Sequence, residues 1–299
     1  TAALRGYGNT RLPMYVGMLV NGTNLLGNYA LISGQWGFPA LGTEGAGIAT
    51  AFARFLGMVF IIFLTVTQES PIRSFYRGSF RPDKSVVTPV LSIGLPASGE
   101  RLILRVAQLF YVRAIAGLGT NAYAAHQIAL RIESMSLVIG FSFGAATTTL
   151  VSQYLGFGDP KKAEEVVFKC QKLAAIAMGC AGVVLFVAAP NIVRLFIPDN
   201  PEVTELGTIV LRIVAVAQPI AGLNHVSSGG LRGAGDTAWV MYITGGSAWL
   251  VRLVLTYVLV NNLGLHLPGA WYAMVADLTV RSILFSRRFK SEHWKDIQV

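Results

Sequence analysis

The chain has 299 residues, of which 53% are hydrophobic and 13% charged, with a formal net charge of +9 at neutral pH. Its mean hydropathy is +0.55. A soluble domain carries about a quarter charged residues, so charges are too few here to cover the outside of a water-soluble fold, and lipid is the expected solvent.

The chain opens on Leu4-Arg5-Gly6-Tyr7-Gly8-Asn9-Thr10, and it repeats this signal as Leu231-Arg232-Gly233-Ala234-Gly235-Asp236-Thr237, 227 residues on (position 4 to position 231). Met14-Tyr15 recurs at the same offset as Met241-Tyr242. Each copy runs into an apolar segment, a short polar turn and a small-residue segment, the mark of a duplicated bundle. A transmembrane helix needs ~20 mostly apolar residues. Eight such spans follow in order: 12–33, 42–66, 86–118, 122–155, 166–197, 203–230, 240–260 and 268–286. Glycine and proline recur inside them, as at Gly94-Leu95-Pro96, Gly140, Gly144 and Gln218-Pro219. Membrane helices tolerate both where neighbours satisfy the freed backbone groups. Barrel strands would alternate apolar and polar residues, whereas these runs are unbroken. The predicted fold is all-α, a polytopic transmembrane helix bundle.

The connecting loops predict an orientation. Alternate loops hold Arg5 and Arg11; Arg73, Arg77, Arg81 and Lys84; Lys161, Lys162 and Lys169; Arg232; and Arg287, Arg288, Lys290 and Lys295. The loops between them, 34–41, 119–121, 198–201 and 261–267, contain no Lys or Arg. This bias is the positive-inside rule and places the C-terminus in the cytoplasm of a multi-pass cell-membrane protein. It also accounts for the basic charge without a nucleic-acid partner. Cys170 and Cys180 share one apolar stretch with no partner motif, so neither a disulfide nor a metal framework is expected.

The charged, proline-containing segment 68–85 separates two spans from six and reads as a linker between residues 1–84 and 85–299. Six spans after the linker against two before it predict a chain truncated at its N-terminus, with about four helices preceding it.

Several segments resemble the multidrug and toxic compound extrusion (MATE) transporters. They are Leu4–Thr10 with Pro13-Met14, Gly94-Leu95-Pro96 followed by Glu100 and Arg101, and Ala124-Ala125-His126-Gln127-Ile128-Ala129. The others are the Leu155-Gly156-Phe157-Gly158-Asp159 turn with Lys161-Lys162-Ala163, and Leu231–Thr237. The match covers nearly the whole chain in the family's order. It implies twelve helices in two six-helix lobes, of which this chain would supply the fifth and sixth and all of the C-terminal lobe. It also implies a monomer that exports amphipathic organic cations, drugs and toxic compounds by alternating access, driven by inward flow of H+ or Na+ and without any other cofactor.

Ionisable groups inside a membrane span are functional candidates by default. The acids within the predicted spans are Glu100, Glu133 and Asp277. Glu100 follows Pro96 by four residues on a helix start rich in small residues, which suits a loosened, water-accessible helix and a coupling role. A salt bridge to Arg101, Arg105 or a neighbouring helix is the competing reading. Glu133 shares a helical face with His126 and Leu130 and is a transport residue or the partner of a buried arginine. Asp277 stands four residues from Arg281, the spacing of an intrahelical pair. Arg54, Arg105, Arg113, Arg131, Arg212 and Arg252 are the cations expected inside spans. His126 reads as a hydrogen-bonding packing residue or, less simply, a proton relay. Asn21, Asn24 and Asn28 lie on one face at spacings of three and four, with Thr50 on the next helix, a pattern that glues membrane helices together.

The resemblance adds a second meaning to those polar residues. In some MATE proteins an Asn and an Asp on the fifth helix, a Thr on the sixth and an Asp on the first hold a cation. Asn24, Asn28 and Thr50 fall on those positions, with Asn28 replacing the Asp. Other members pair a Glu on the seventh helix with an Asp on the tenth. Here Glu100 sits a turn earlier, and the tenth helix carries Gln218 and Asn224 in place of an acid. A lipid-linked oligosaccharide flippase of the same superfamily is the alternative transporter, against which the repeated motif argues. An intramembrane enzyme would need a nucleophile–base pair or metal motif, yet His126, His225, His266 and His293 are scattered and no H-E-x-x-H occurs.

Overall fold

A computed structural model of the chain describes Leu4, Asn9, residues 11–67 and 84–292, and Trp294. Most of the first motif copy, the basic stretch 68–83 and residues 295–299 lie outside the described residues. Among those described the regular elements are helices, with no strand: α1 Arg11–Ser33, α2 Gly42–Thr67, α3 Lys84–Ala116, α4 Thr120–Gly156, α5 Pro160–Phe196, α6 Pro201–Gly233, α7 Thr237–Asn262 and α8 His266–Lys290. Each expected span falls on one helix. Five helices, α2 and α4–α7, are long and apolar enough to cross a membrane. The eight expected helices are present; α1, α3 and α8 have the length (23, 33 and 25 residues) but are not among these five.

The chain divides into two compact units, Thr1–Pro82 and Asp83–Val299. In the first, α1 lies antiparallel to α2, joined through a tight connection in which the Leu41 N–H donates to the Leu31 carbonyl at 2.8 Å. Gly45 sits against that same turn: a Cβ there would stand 2.5 Å from the Leu31 oxygen, so only glycine permits the approach. The Asn9 side chain accepts from the Leu12 N–H at the start of α1, an N-cap that satisfies one orphan donor.

In the second unit α6 is the most deeply buried helix and packs against α4, α5 and α8. Small residues set its crossing with α4. A Cβ on Gly229 would lie 2.4 Å from the Gly144 oxygen, and one on Gly233 2.5 Å from the Thr148 oxygen. Thr148 Oγ1 also donates to the Gly229 carbonyl at 2.9 Å. Close backbone approach through small residues is how membrane helices gain packing without a hydrophobic drive between them.

Two sequence signals become the same turn. In Leu155–Asp159 the Asp159 N–H donates to the Tyr154 carbonyl and the Gly158 N–H to Leu155; in Leu231–Asp236 the Asp236 N–H donates to Leu231 and the Gly235 N–H to Arg232. Gly158 and Gly235 sit at φ +74 and +82, the left-handed conformation a glycine-terminated helix needs. Asp159 then caps α5 by accepting from the Lys162 N–H, with Pro160 at the first helical position. The Lys162 side chain first, and its N–H second, hold the half-buried Asp159 carboxyl below the ordinary range. In the first repeat the Asn9 N–H donates to the Leu4 carbonyl at 2.9 Å, the counterpart of the Asp236–Leu231 bond.

The core of the second unit is split in two. One apolar cluster includes Tyr111, Ile128, Ile132, Leu211, Val214 and Trp271; the other includes Val151, Val167, Leu231, Phe285, Phe289 and Trp294. On α4, α6, α7 and α8 alike, buried polar residues come between the stretches that feed the two clusters.

Candidate functional site

That polar layer is built around Asp277 of α8, which is wholly buried. Arg281, one turn on, donates Nε to Oδ1 at 2.8 Å and Nη2 to Oδ2 at 2.6 Å. Arg252 of α7 donates Nε and Nη2 to Oδ2 at 2.9 and 2.7 Å, and Ser247 Oγ donates to Oδ1. The intrahelical pair expected from the spacing is present, but Asp277 is held by three side chains. Ala248–Leu253 and Val258–Asn262 of α7 are π-helical, a wider winding frequent at functional sites. Arg252 lies in the first of them.

Two guanidiniums around one carboxylate leave one positive charge over. Arg252 acts electrostatically on Glu133 of α4, which is 4% exposed and in no ion pair among the described residues. Glu133 is the fourteenth residue of α4, about 20 Å along the axis of this membrane-spanning helix. One turn on, Ser136 Oγ donates to Gln218 Oε1 at 2.8 Å across to α6. Gln218 Nε2 and Asn224 Nδ2 are buried without a hydrogen-bond partner. Ser136 thus ties Gln218 of α6 to the helix that carries Glu133.

Tyr111 closes this layer on one side. Its ring lies 5.7 Å beneath the Arg252 guanidinium, and its hydroxyl donates to the Ala270 carbonyl at 2.9 Å. Beyond it His126 packs edge-on between Tyr111 and Trp271, with centroids at 5.8 and 5.5 Å. Neither His126 ring nitrogen has a hydrogen-bond partner. The expected hydrogen-bonding histidine is thus an aromatic packing residue.

Glu100 is elsewhere. It is buried, not water-accessible as its proline-loosened context predicts, and its two oxygens accept from Arg232 Nη2 at 2.7 and 3.0 Å. Arg101 and Arg105 are exposed and are not its partners. The partner is the arginine of the repeated motif, a residue the sequence marks but does not connect to α3. Arg232 also lines a cavity of about 430 Å³ with Ile93, Thr148 and Ser152. On the other side of the turn Asp236 binds Arg288 of α8 at 2.7 Å, so the motif fastens α6 to both α3 and α8.

Of the six arginines expected inside spans, Arg252 alone is drawn into the bundle. Arg54, Arg105, Arg113, Arg131 and Arg212 lie on the surface of this chain, whereas Arg281 is buried. Each of the five falls on an outward helical face, a phase that apolar run length does not reveal.

The first unit brings Asn24, Asn28 and Thr50 together as their spacing predicts. Asn28 Nδ2 donates to Asn24 Oδ1 at 3.1 Å, Asn24 Nδ2 to Thr50 Oγ1 at 3.0 Å, and Thr50 Oγ1 to the Ala46 carbonyl at 2.8 Å. Asn28 Oδ1 is buried without a partner. Asn21 is exposed and outside this chain of bonds.

The MatE family model matches residues 96–258. A probable multidrug resistance protein NorM of Thermotoga maritima is 32% identical over 99% of this chain and 63% of its own length. An uncharacterized transporter YisQ of Bacillus subtilis is 28% identical over 98% of this chain and 64% of its own. The chain thus spans less than two thirds of these relatives. Among solved structures, the outward-facing conformation of a multidrug resistance MATE family transporter aligns over 98% of this chain and 65% of its own, with TM-score 0.86 and 21% identity. A MOP superfamily transporter from Pyrococcus furiosus aligns with TM-score 0.87 and 21% identity over 99% of this chain and 65% of its own. These structures share the helical-bundle fold.

Proposed function

The chain belongs to the MatE family, and on that premise we propose that it is the greater part of an ion-coupled exporter of organic cations, drugs and other toxic compounds. In this reading α3–α8 form one complete lobe and α1–α2 belong to a second, with substrate crossing by alternating access. The C-terminus lies in the cytoplasm, in keeping with the basic loops. The multidrug-resistance relative supports the substrate class.

The observation that carries coupling is Glu133, a buried carboxylate in a membrane-spanning helix that has no ion-pair partner among the described residues. Asp277 accepts from three side chains and Glu100 from Arg232, so Glu133 is the acid whose ionisation can change without first breaking an ion pair. Asn24, Asn28 and Thr50 offer neutral oxygens only, a weaker set for a hard cation than one with a carboxylate. Glu133 therefore takes and releases the coupling H+ or Na+. Glu100 serves as a second coupling group only when the Arg232 pair opens.

The test is efflux of a fluorescent amphipathic cation from proteoliposomes holding the complete gene product. Wild type should couple efflux to an imposed H+ or Na+ gradient. Glu133→Gln should fold and bind the dye but lose gradient-driven efflux, roughly the 10²-fold or more expected when a proton-transfer group is removed. Equal efflux by the two proteins would move coupling to Glu100.

A further inference from the structure

The seam between α5 and α6 is shaped by two prolines. Pro190 has no N–H, so the Phe186 carbonyl four residues back loses its helical partner. Arg212 of α6 replaces it: Nε donates to the Phe186 oxygen at 3.5 Å, and the guanidinium lies 5.4 Å from the Phe186 ring centroid. Pro219 frees the Ala215 carbonyl in the same way, and Gly182 fits against that oxygen, where a Cβ would stand 2.4 Å away.

A groove results, in two parts that meet at the Phe186–Arg212 contact. The apolar part, about 520 Å³, is lined by Gly179, Gly182, Val183, Val216 and Pro219 besides Phe186. The polar part, about 610 Å³, lies toward the 197–201 turn and is lined by Arg194, Glu205, Thr204 and Thr208 besides Arg212. Val183 and Val216 are 65% and 70% exposed, so this face looks outward from the bundle. Arg212 spends one of its five donors on Phe186. Neither Arg212 nor Arg194 is in an ion pair among the described residues. Arg212 is eleven residues from the start of α6, about 16 Å along the axis. A guanidinium at that depth needs an anion or a route to the interface. Two arginines against Glu205 leave the polar part net positive.

We propose that this groove binds one anionic phospholipid, its phosphate between Arg194 and Arg212 and an acyl chain in the trough beside Val183 and Val216. The test is native mass spectrometry of the chain in detergent with equal phosphatidylglycerol and phosphatidylcholine. Wild type should retain the anionic lipid preferentially. Arg194→Gln and Arg212→Gln should each cut that preference about fivefold, the weight of one basic side chain at a lipid surface, while Arg212→Lys keeps it. Val216→Trp, which fills the trough, should lower retention of both lipids. Equal retention of the two lipids by wild type, an unchanged preference in the double Gln variant, or displacement by millimolar inorganic phosphate would overturn the proposal.

Discussion

Asp277 shows how a single residue can be legible in part. Its pairing with Arg281 follows from a spacing of four on one helix, and the structure has it. Arg252 and Ser247 come from another helix, through a π-helical turn that shifts which side chains face inward, and no local pattern reports that. The same holds for Glu100, whose partner Arg232 lies 132 residues away in sequence. The arrangement makes Asp277 structural before it is anything else. Removing one member of a buried pair costs about 3–5 kcal/mol, because the remaining charges are stranded, whereas an apolar replacement of all members is often neutral or better. Asp277→Asn should therefore lower the melting temperature in detergent sharply. Arg252→Met, Asp277→Leu and Arg281→Met combined should recover most of the loss. A single variant as stable as wild type would show that the cluster is hydrated and adjustable instead.

At the scale of elements, the α4–α6 crossing depends on the absence of side chains at its closest points. Gly229→Ala would push a methyl against the Gly144 carbonyl, and backbone cannot rotate away as a side chain can. Overpacking of this kind typically costs 1–3 kcal/mol. Gly246 of α7 meets nothing within 4 Å of an added Cβ, so Gly246→Ala should be neutral or stabilising by up to ~1 kcal/mol from helix propensity. Thermal unfolding of the two variants side by side checks the contrast. Helix number and order were legible because run length and turn residues are local signals. Which face of each helix points inward was not, since near-uniform apolarity leaves little amphipathic contrast to read, and the outward phase of five arginines could not be read for that reason. The two repeats also diverge where their backbones agree. Asn9 and Asp236 make equivalent backbone bonds, yet Asn9 caps its own helix while Asp236 reaches Arg288. The substitution of one residue converts a local cap into a tie between helices.

For the whole molecule, the arrangement of the second unit places a buried polar layer between two apolar clusters. Such a layer is useful only if the two ends of the bundle face different compartments, which makes orientation the deciding global property. The basic residues fix the sides that should differ. Phe157, in the Leu155–Asp159 turn, and Lys290, at the end of α8, lie on the side rich in Lys and Arg; Gln35 and Asn262 lie in the loops without them, and all four are exposed. The natural cysteines, Cys170 and Cys180, are free and can be replaced by serine to leave a silent background. Single substitutions Phe157→Cys, Lys290→Cys, Gln35→Cys and Asn262→Cys then report one position each. A membrane-impermeant maleimide applied to intact cells should label the Gln35 and Asn262 variants and spare the other two, which react only after the cells are opened. The positive-inside rule counts Lys and Arg in short loops, and no basic residue occurs in 34–41 or 261–267 to oppose it. Labelling of the Lys290 variant in intact cells would reverse the orientation, and with it the direction of ion release under the coupling role proposed for Glu133.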